Sequence, residues 1–247
     1  MRLLFFISMI VIAVNSKAQA MKEIGVGILE VNTSYDISLY KNYNDVTPVA
    51  IIHMKQLKDF RVAYECPIVL DPYQMSIGET DIEEEEELVN RGLVALGPVL
   101  KFKVTRETSS YYQVILNEEK GMKCYIKKNP KGVYHTTREA FEASGHKESF
   151  DVNWMLYETW ENYLKRVEFI ELNTLEIYDQ PRGKIIFCSD THDFYPFKVK
   201  SMKGEWIEVI KDPLREFNFE KEKNYEGWYQ WKKGNEWRIN MTEFTIE

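Results

Sequence analysis

Cysteine is scarce: Cys66, Cys124 and Cys188 are the only three in 247 residues. So small and odd a set excludes a disulfide-stapled scaffold, and its wide spacing excludes a zinc-finger type of site. In an oxidising compartment one pair can bridge and one thiol stays free, and nothing in the sequence chooses the pair. Proline (8) and glycine (12) are also few, and with 44% hydrophobic and 14% aromatic residues the composition argues for a folded chain and against disorder. Long apolar runs are missing too. The longest, Leu3 to Val14, follows Arg2 and precedes Ala18-Gln19-Ala20. That is the layout of a secretory signal peptide, and the run falls short of the roughly 20 residues that span a bilayer. Cleavage after Ala20 is expected, giving an exported, periplasmic or secreted protein with no transmembrane segment. No cysteine precedes Cys66, so a lipid-anchored N-terminus is not expected.

Basic charge is in deficit. Without Arg2 and Lys17 the mature chain carries 30 basic against 39 acidic residues, and seven of those acids (Glu79, Asp81 and Glu83 to Glu87) sit in one run. The remainder is near neutral. Nothing here neutralises a phosphate backbone, so nucleic acid is not the expected partner.

The expected fold class is mainly β. Ile24 to Val31, Ile37 to Tyr40, Pro48 to Ile52, Val99 to Val104, Tyr112 to Leu116 and Met122 to Ile126 read as short strands with turns between them. From Glu168 onward the same pattern returns. In between, Leu156, Trp160, Leu164 and Val167 recur at helical spacing, and Thr136 to Ser144 reads as a shorter helix, so residues 132–166 are expected to form a helical connector. Its aromatic stripe is expected to pack between two domains, the default fate of an amphipathic face.

The chain repeats itself. Ile37-Ser38-Leu39-Tyr40, a turn and Ala50-Ile51-Ile52 match Leu175-Glu176-Ile177-Tyr178, a Pro181-Arg182-Gly183 turn and Lys184-Ile185-Ile186. Ser109 to Ile115 matches Gly204 to Ile210, and Gly121-Met122-Lys123-Cys124-Tyr125 matches Gly227-Trp228-Tyr229-Gln230-Trp231. On this alignment Tyr111 stands where Trp206 does, and Met122 where Trp228 does. Three blocks in one order point to a duplication.

These blocks resemble the bacterial Src-homology-3-like domain, a small β-barrel of exported proteins. Gly204-Glu205-Trp206-Ile207-Glu208-Val209 and Gly227-Trp228 carry the resemblance in the second copy, and the first copy is degraded. The resemblance implies two small barrels, residues 22–131 and 167–247, joined by the helical segment. The first would hold an acidic insertion at about residues 60–97. It also implies a non-catalytic binding or scaffolding role in the cell envelope, with cell-wall peptide or an envelope protein as ligand and no cofactor. Members of the family often append the barrel to a cysteine peptidase. No cysteine here lies in the Asp-Cys-Ser-Gly setting of such a nucleophile.

By analogy with the aromatic groove of eukaryotic Src-homology-3 domains, the candidate ligand contacts are Trp228, Tyr229 and Trp231 in the second copy and Tyr112 in the first. Alternation puts Trp228 on one side of its strand and Tyr229 with Trp231 on the other, so one side is core and one exposed. Trp206 is expected to be a buried structural residue. Cys188, Asp190 and His192, with Asp193, form the one local cluster of ligand-type residues, without zinc-type spacing. The acidic run lacks the glycine and alternation of a calcium loop and reads as a solvated segment or the start of a helix. The competing reading is a small hydrolase or metal-dependent enzyme with its site at the barrel–connector junction.

Overall fold

The computed structural model describes residues 23–32, 35–56, 62–71, 76–77, 94–95, 99–128, 133–145, 154–167, 169–172, 175–189, 197–212 and 225–243. The signal segment (1–20), the acidic run Glu79 to Glu87, and Asp190 with His192 and Asp193 lie outside these residues.

The chain is mainly β, in several sheets. Its first half contains β1 (Gly27–Asn32), β2 (Ile37–Tyr40), β3 (Ala50–Gln56), β4 (Val62–Glu65), β5 (Ser76–Ile77), β6 (Val94–Ala95), β7 (Val99–Glu107), β8 (Tyr111–Asn117) and β9 (Met122–Lys127). Next come β10 (Val133–His135), helix α1 (Arg138–Ala143), β11 (Trp154–Thr159) and helix α2 (Trp160–Arg166). The second half contains β12 (Phe169–Leu172), β13 (Leu175–Tyr178), β14 (Ile185–Ser189), β15 (Phe197–Lys203), β16 (Trp206–Lys211), β17 (Gly227–Gln230), β18 (Lys232–Lys233), β19 (Glu236–Trp237) and β20 (Ile239–Glu243).

One strand order occurs twice in the topology. In the ten-stranded sheet, β7-β8-β9-β2-β3 lie side by side in that order, and in the five-stranded sheet so do β15-β16-β17-β13-β14. Each hairpin that opens the series carries a bulge at the same place. Val104 faces Val114 and Arg106 faces Gln113, skipping Thr105, while Val199 faces Val209 and Ser201 faces Glu208, skipping Lys200. An extra residue at matched positions is a designed feature of a strand pair, because it sets the local twist.

Two expectations are corrected. Among the described residues neither copy closes into a barrel. The first is extended by β1, β11 and β10 beyond β7, and by β4 and β6 beyond β3, so its sheet continues outward. The helical connector of residues 132–166 is half strand: Leu156 lies in β11, which pairs antiparallel with β1 along its whole length. The shorter helix expected over Thr136 to Ser144 is present as α1, while of the Leu156-to-Val167 stripe only Trp160 onward is helical. Thr159 caps that helix, its hydroxyl accepting from the Asn162 amide, with Glu161 in the first turn and Lys165 and Arg166 in the last, as caps and dipole favour.

Strand β1 is buried along its entire length because it serves two cores. Leu29 and Val31 join Leu39, Ile52, Phe102, Val114 and Ile126 in the first copy. Ile28, with Ile24 ahead of the strand, joins Ile177, Ile207, Tyr229 and Trp231 of the second, where Trp160, Tyr163 and Leu164 of α2 also pack. The helix therefore belongs to the second core.

On the Ile28 side of β1 lies a buried ionic cluster. Glu30 faces Lys101 of β7 across the ladder, and Glu158 of β11 faces Ile28. Arg166 donates from Nε to both Glu158 oxygens, at 2.8 and 2.9 Å, and its Nη2 also reaches Glu158. That Nη2 and the Nη2 of Arg138 lie 3.4 and 3.2 Å from the Glu30 carboxylate. Burial alone would raise the Glu30 pKa, yet Lys101, Arg138 and Arg166 together hold it below 4.5.

Candidate functional site

The face of each five-strand unit opposite its core carries a set of aromatic rings. In the second copy Leu175, Ile177, Ile207, Val209 and Tyr229 point into the core. Alternation then puts Glu176, Tyr178, Trp206, Glu208, Trp228 and Gln230 on the outer face. Tyr178 sits directly across the ladder from Trp228, which faces Glu208. The Tyr178 and Trp206 rings meet edge to face at 5.1 Å. Trp228 is half-buried.

The first copy repeats this arrangement. Tyr40 faces Tyr125, and Tyr125 faces Gln113. Tyr111 meets Tyr125 edge to face at 5.2 Å, and Tyr43, from the loop after β2, stacks on Tyr111 at 5.2 Å. Strand pairing thus equates Tyr40, Tyr111 and Tyr125 with Tyr178, Trp206 and Trp228. The alignment of Met122 with Trp228 is corrected by three residues: Cys124 stands where Gly227 does, and Tyr125 where Trp228 does.

Exposed apolar residues border both faces where the next strand begins. In the first copy these are Val46 (91% exposed) and Val49 (54%), beside half-exposed Tyr43; in the second they are Ile185 and Ile186 (49% and 50%). A cluster of exposed apolar side chains beside aromatic rings is the usual mark of an interaction surface.

Polar groups hold the rings in place. The Gln113 amide donates to the Tyr125 hydroxyl at 2.8 Å, and the Thr105 hydroxyl at the bulge donates to Gln113 Oε1 at 2.8 Å. At the matching bulge, Lys200 and Ser201 donate to Glu208, both at 2.8 Å, and these bonds lower the Glu208 pKa. The Tyr178 hydroxyl donates to Glu176 at 3.1 Å, and burial followed by that bond raises its pKa. Lys127 Nζ lies 4.2 Å over the Tyr40 ring and donates to the Asp45 carbonyl, which pins the loop that bears Tyr43.

Of the four candidates read from the sequence, only Trp228 belongs to this surface. Tyr229 and Trp231 are in the second core and Tyr112 in the first, all at most 1% exposed. The Tyr229 hydroxyl donates inward to the Arg238 carbonyl at 2.6 Å. Tyr112 is held too far from solvent to reach a ligand, and burial pushes its pKa far up. Trp206 is buried, but by its neighbours on the outer face, outside the core cluster. Sequence reasoning missed Tyr40, Tyr43, Tyr111, Tyr125 and Tyr178, although the tyrosines ending the two matched strands, Tyr40 and Tyr178, were in plain view. Cys188 faces Glu176 on the same outer side and is exposed. Among the described residues no group of three or more His, Cys, Asp or Glu converges as a metal site.

Gly227 makes the second face possible. Its φ of +149° and its close approach to β13 leave no room for a side chain; a Cβ there would sit 2.6 Å from the Tyr178 carbonyl. Gly227→Ala is expected to cost about 1–3 kcal/mol, the usual range for forced backbone strain, read as a lower urea midpoint. An unchanged midpoint would place β17 farther from β13 than described.

Searches of protein families, curated proteins and solved structures returned no match to this chain.

Proposed function

We propose that the protein is an exported, non-catalytic binding module of the cell envelope, built from two Src-homology-3-like units that each present one aromatic face. The observation that carries this reading is the repeated outer triad, Tyr40-Tyr111-Tyr125 and Tyr178-Trp206-Trp228. Core residues need only fill volume, and the two cores do so with different side chains. Around the buried rings of Tyr111 and Trp206, the half-buried Tyr40, Tyr125, Tyr178 and Trp228 are a costlier choice, since they leave apolar surface near solvent. Flat rings grip a ligand through stacking and burial at small entropic cost. The ligand this favours is cell-wall peptide or an extended segment of an envelope protein.

The test uses purified cell-wall fragments and the mature chain beginning at Met21. Binding is expected to change tryptophan fluorescence, to depend weakly on salt, to leave the fragments chemically intact, and to slow alkylation of Cys188. The double variant Tyr125→Ala, Trp228→Ala removes one ring from each face and is expected to weaken binding at least tenfold while remaining folded. Undiminished binding by that variant would rule out the aromatic faces, and trimmed fragments would turn the reading toward a hydrolase.

A further inference from the structure

The two outer faces differ in charge at matched positions. In the first copy Lys127 faces Tyr111 across the ladder, Gln113 faces Tyr125, and Ser38 lies two residues before Tyr40. In the second, Gln230 faces Trp206, Glu208 faces Trp228, and Glu176 lies two residues before Tyr178. From first copy to second these positions lose one cation and gain two carboxylates, while at the bulge Lys200 stands where Thr105 does. Lys127 serves the first face directly: its Nζ lies 4.2 Å over the Tyr40 ring and is held there by the Asp45 carbonyl. Gln230 does nothing of the kind for Tyr178. Its amide donates to Glu205 at 3.2 Å, and its side-chain oxygen accepts from Arg238 at 3.1 Å. The described cation–ring contacts in the second copy fall on Tyr225, Tyr229, Trp231 and Trp237, and none on Tyr178 or Trp228. The two carboxylates are not equivalent. Glu208 is committed to Lys200 and Ser201 at the bulge, each at 2.8 Å. Glu176 accepts from the Tyr178 hydroxyl at 3.1 Å, has Arg238 only at 3.9 Å, beyond hydrogen-bond reach, and is 37% exposed. A phenol bonded to a carboxylate is an electron-rich ring with a negative charge at its rim, and a cation over its face meets both.

Resting on the aromatic-face reading, we propose that the outer face of the second copy binds the free side-chain ammonium of a cell-wall peptide over the Tyr178 ring, the place that Lys127 fills over Tyr40 in the first copy. The ring face and the Glu176 carboxylate hold the charge. Ile185 and Trp228 flank Tyr178 on its two neighbouring strands. The half-exposed Ile185 offers apolar surface to the methylene stem that carries the amine. Ile185, Tyr178 and Trp228 thus form one row across three strands, roughly 10 Å wide at about 4.8 Å per strand. Such a row seats one extended side chain and is too narrow for a folded partner, which favours a short peptide. One exposed carboxylate adds one screened contact, so binding still depends weakly on salt. The first face, with Lys127 in place, disfavours a second ammonium.

The experiment titrates the full mature chain with purified cell-wall fragments, either untreated or treated with acetic anhydride so that their free amines become neutral amides. Tryptophan emission reads the second face, because the rings of the first are all tyrosines. Acetylation is expected to weaken binding at least tenfold. Glu176→Gln should weaken binding of untreated fragments several-fold and leave that of acetylated fragments unchanged. Gln230→Lys, which supplies the lysine of the first copy, should weaken binding of untreated fragments at least tenfold, with the urea midpoint of each variant showing that it is folded. Equal binding of acetylated and untreated fragments would overturn the ammonium site, and the aromatic-face reading would survive if the Tyr125→Ala, Trp228→Ala variant still bound less. Fragments that bind no form of the protein would overturn both. A blocked lysine–alanine peptide that binds where the fragments do not would move the site to an envelope protein and overturn the cell-wall assignment.

Discussion

Glu158→Ala is expected to destabilise the protein by about 3–5 kcal/mol, the cost of stripping a buried charge of its partner. The Glu158 carboxylate is 1% exposed and takes both the Nε and the Nη2 of Arg166. With it gone, the guanidinium stays over the Tyr163 ring at 4.7 Å and keeps the 3.4 Å contact to Glu30, but loses the carboxylate that takes both its Nε and its Nη2. Replacing both members, Glu158→Leu with Arg166→Met, should recover most of that loss, because the penalty belongs to a part-buried charge that has lost its best carboxylate more than to the missing pair. Urea unfolding of both variants checks this. If the double variant is as unstable as the single one, the cluster contributes through packing and the charge argument fails.

The same cluster gives the fold a dependence on acid. Three cations hold the folded-state pKa of Glu30 below 4.5, so Glu30 contributes stability above its unfolded pKa. That contribution is lost as pH falls through the lower, folded value. The urea midpoint should therefore drop below pH 4.5, and Glu30→Gln should flatten the drop. The groups facing Glu30 are Lys101, Arg138 and Arg166, with Glu158 beyond them.

Much of the sheet was legible because period-two burial is a strong signal in short strands. Ile37 to Tyr40 and Leu175 to Tyr178 show the same half-buried alternation and the same neighbours. The stretch around Leu156 was illegible for a definite reason. Leu156 lies four residues before Trp160 and so falls in phase with the helix that starts there, yet its own backbone pairs with β1. The phase was accidental, and only long-range pairing breaks the tie.

The site was half legible. Alternation separates Trp228 from Tyr229 and Trp231, but it cannot say which side is core. The misaligned third block has a chemical origin: two glycines doing different work. Gly121 is a turn glycine at φ +60°, whereas Gly227 lies within a strand and lets β13 come close. Matching glycine to glycine shifted the first copy by three residues and hid Tyr125 behind Met122.

Trp231→Ala should be among the most damaging single changes in the second copy, costing about 3–5 kcal/mol as large-to-small changes in a core do. The indole is 1% exposed, its Nε1 donates to the Gly204 carbonyl at 3.0 Å, and its ring meets Trp237 at 5.2 Å and Trp160 at 6.5 Å. Its backbone holds the neighbouring segments too, donating to the Glu205 carbonyl at 3.0 Å and accepting from Arg238 at 2.9 Å, so collapse around the void is restricted. Trp228→Ala, three residues earlier on the outer face, should stay within about 1 kcal/mol of the parent and lose ligand instead. Differential scanning calorimetry separates the two, with the Trp231 variant melting roughly 10 °C lower. Trp160 supplies the decisive control, since it brings α2 into the same aromatic cluster and its Nε1 donates to the Ile24 carbonyl at 3.1 Å. Trp160→Ala and Trp231→Ala share a void, so their costs should fall short of adding by more than about 0.5 kcal/mol. Strict additivity would mean the two rings stabilise separate cores, and α2 would then belong to the first copy.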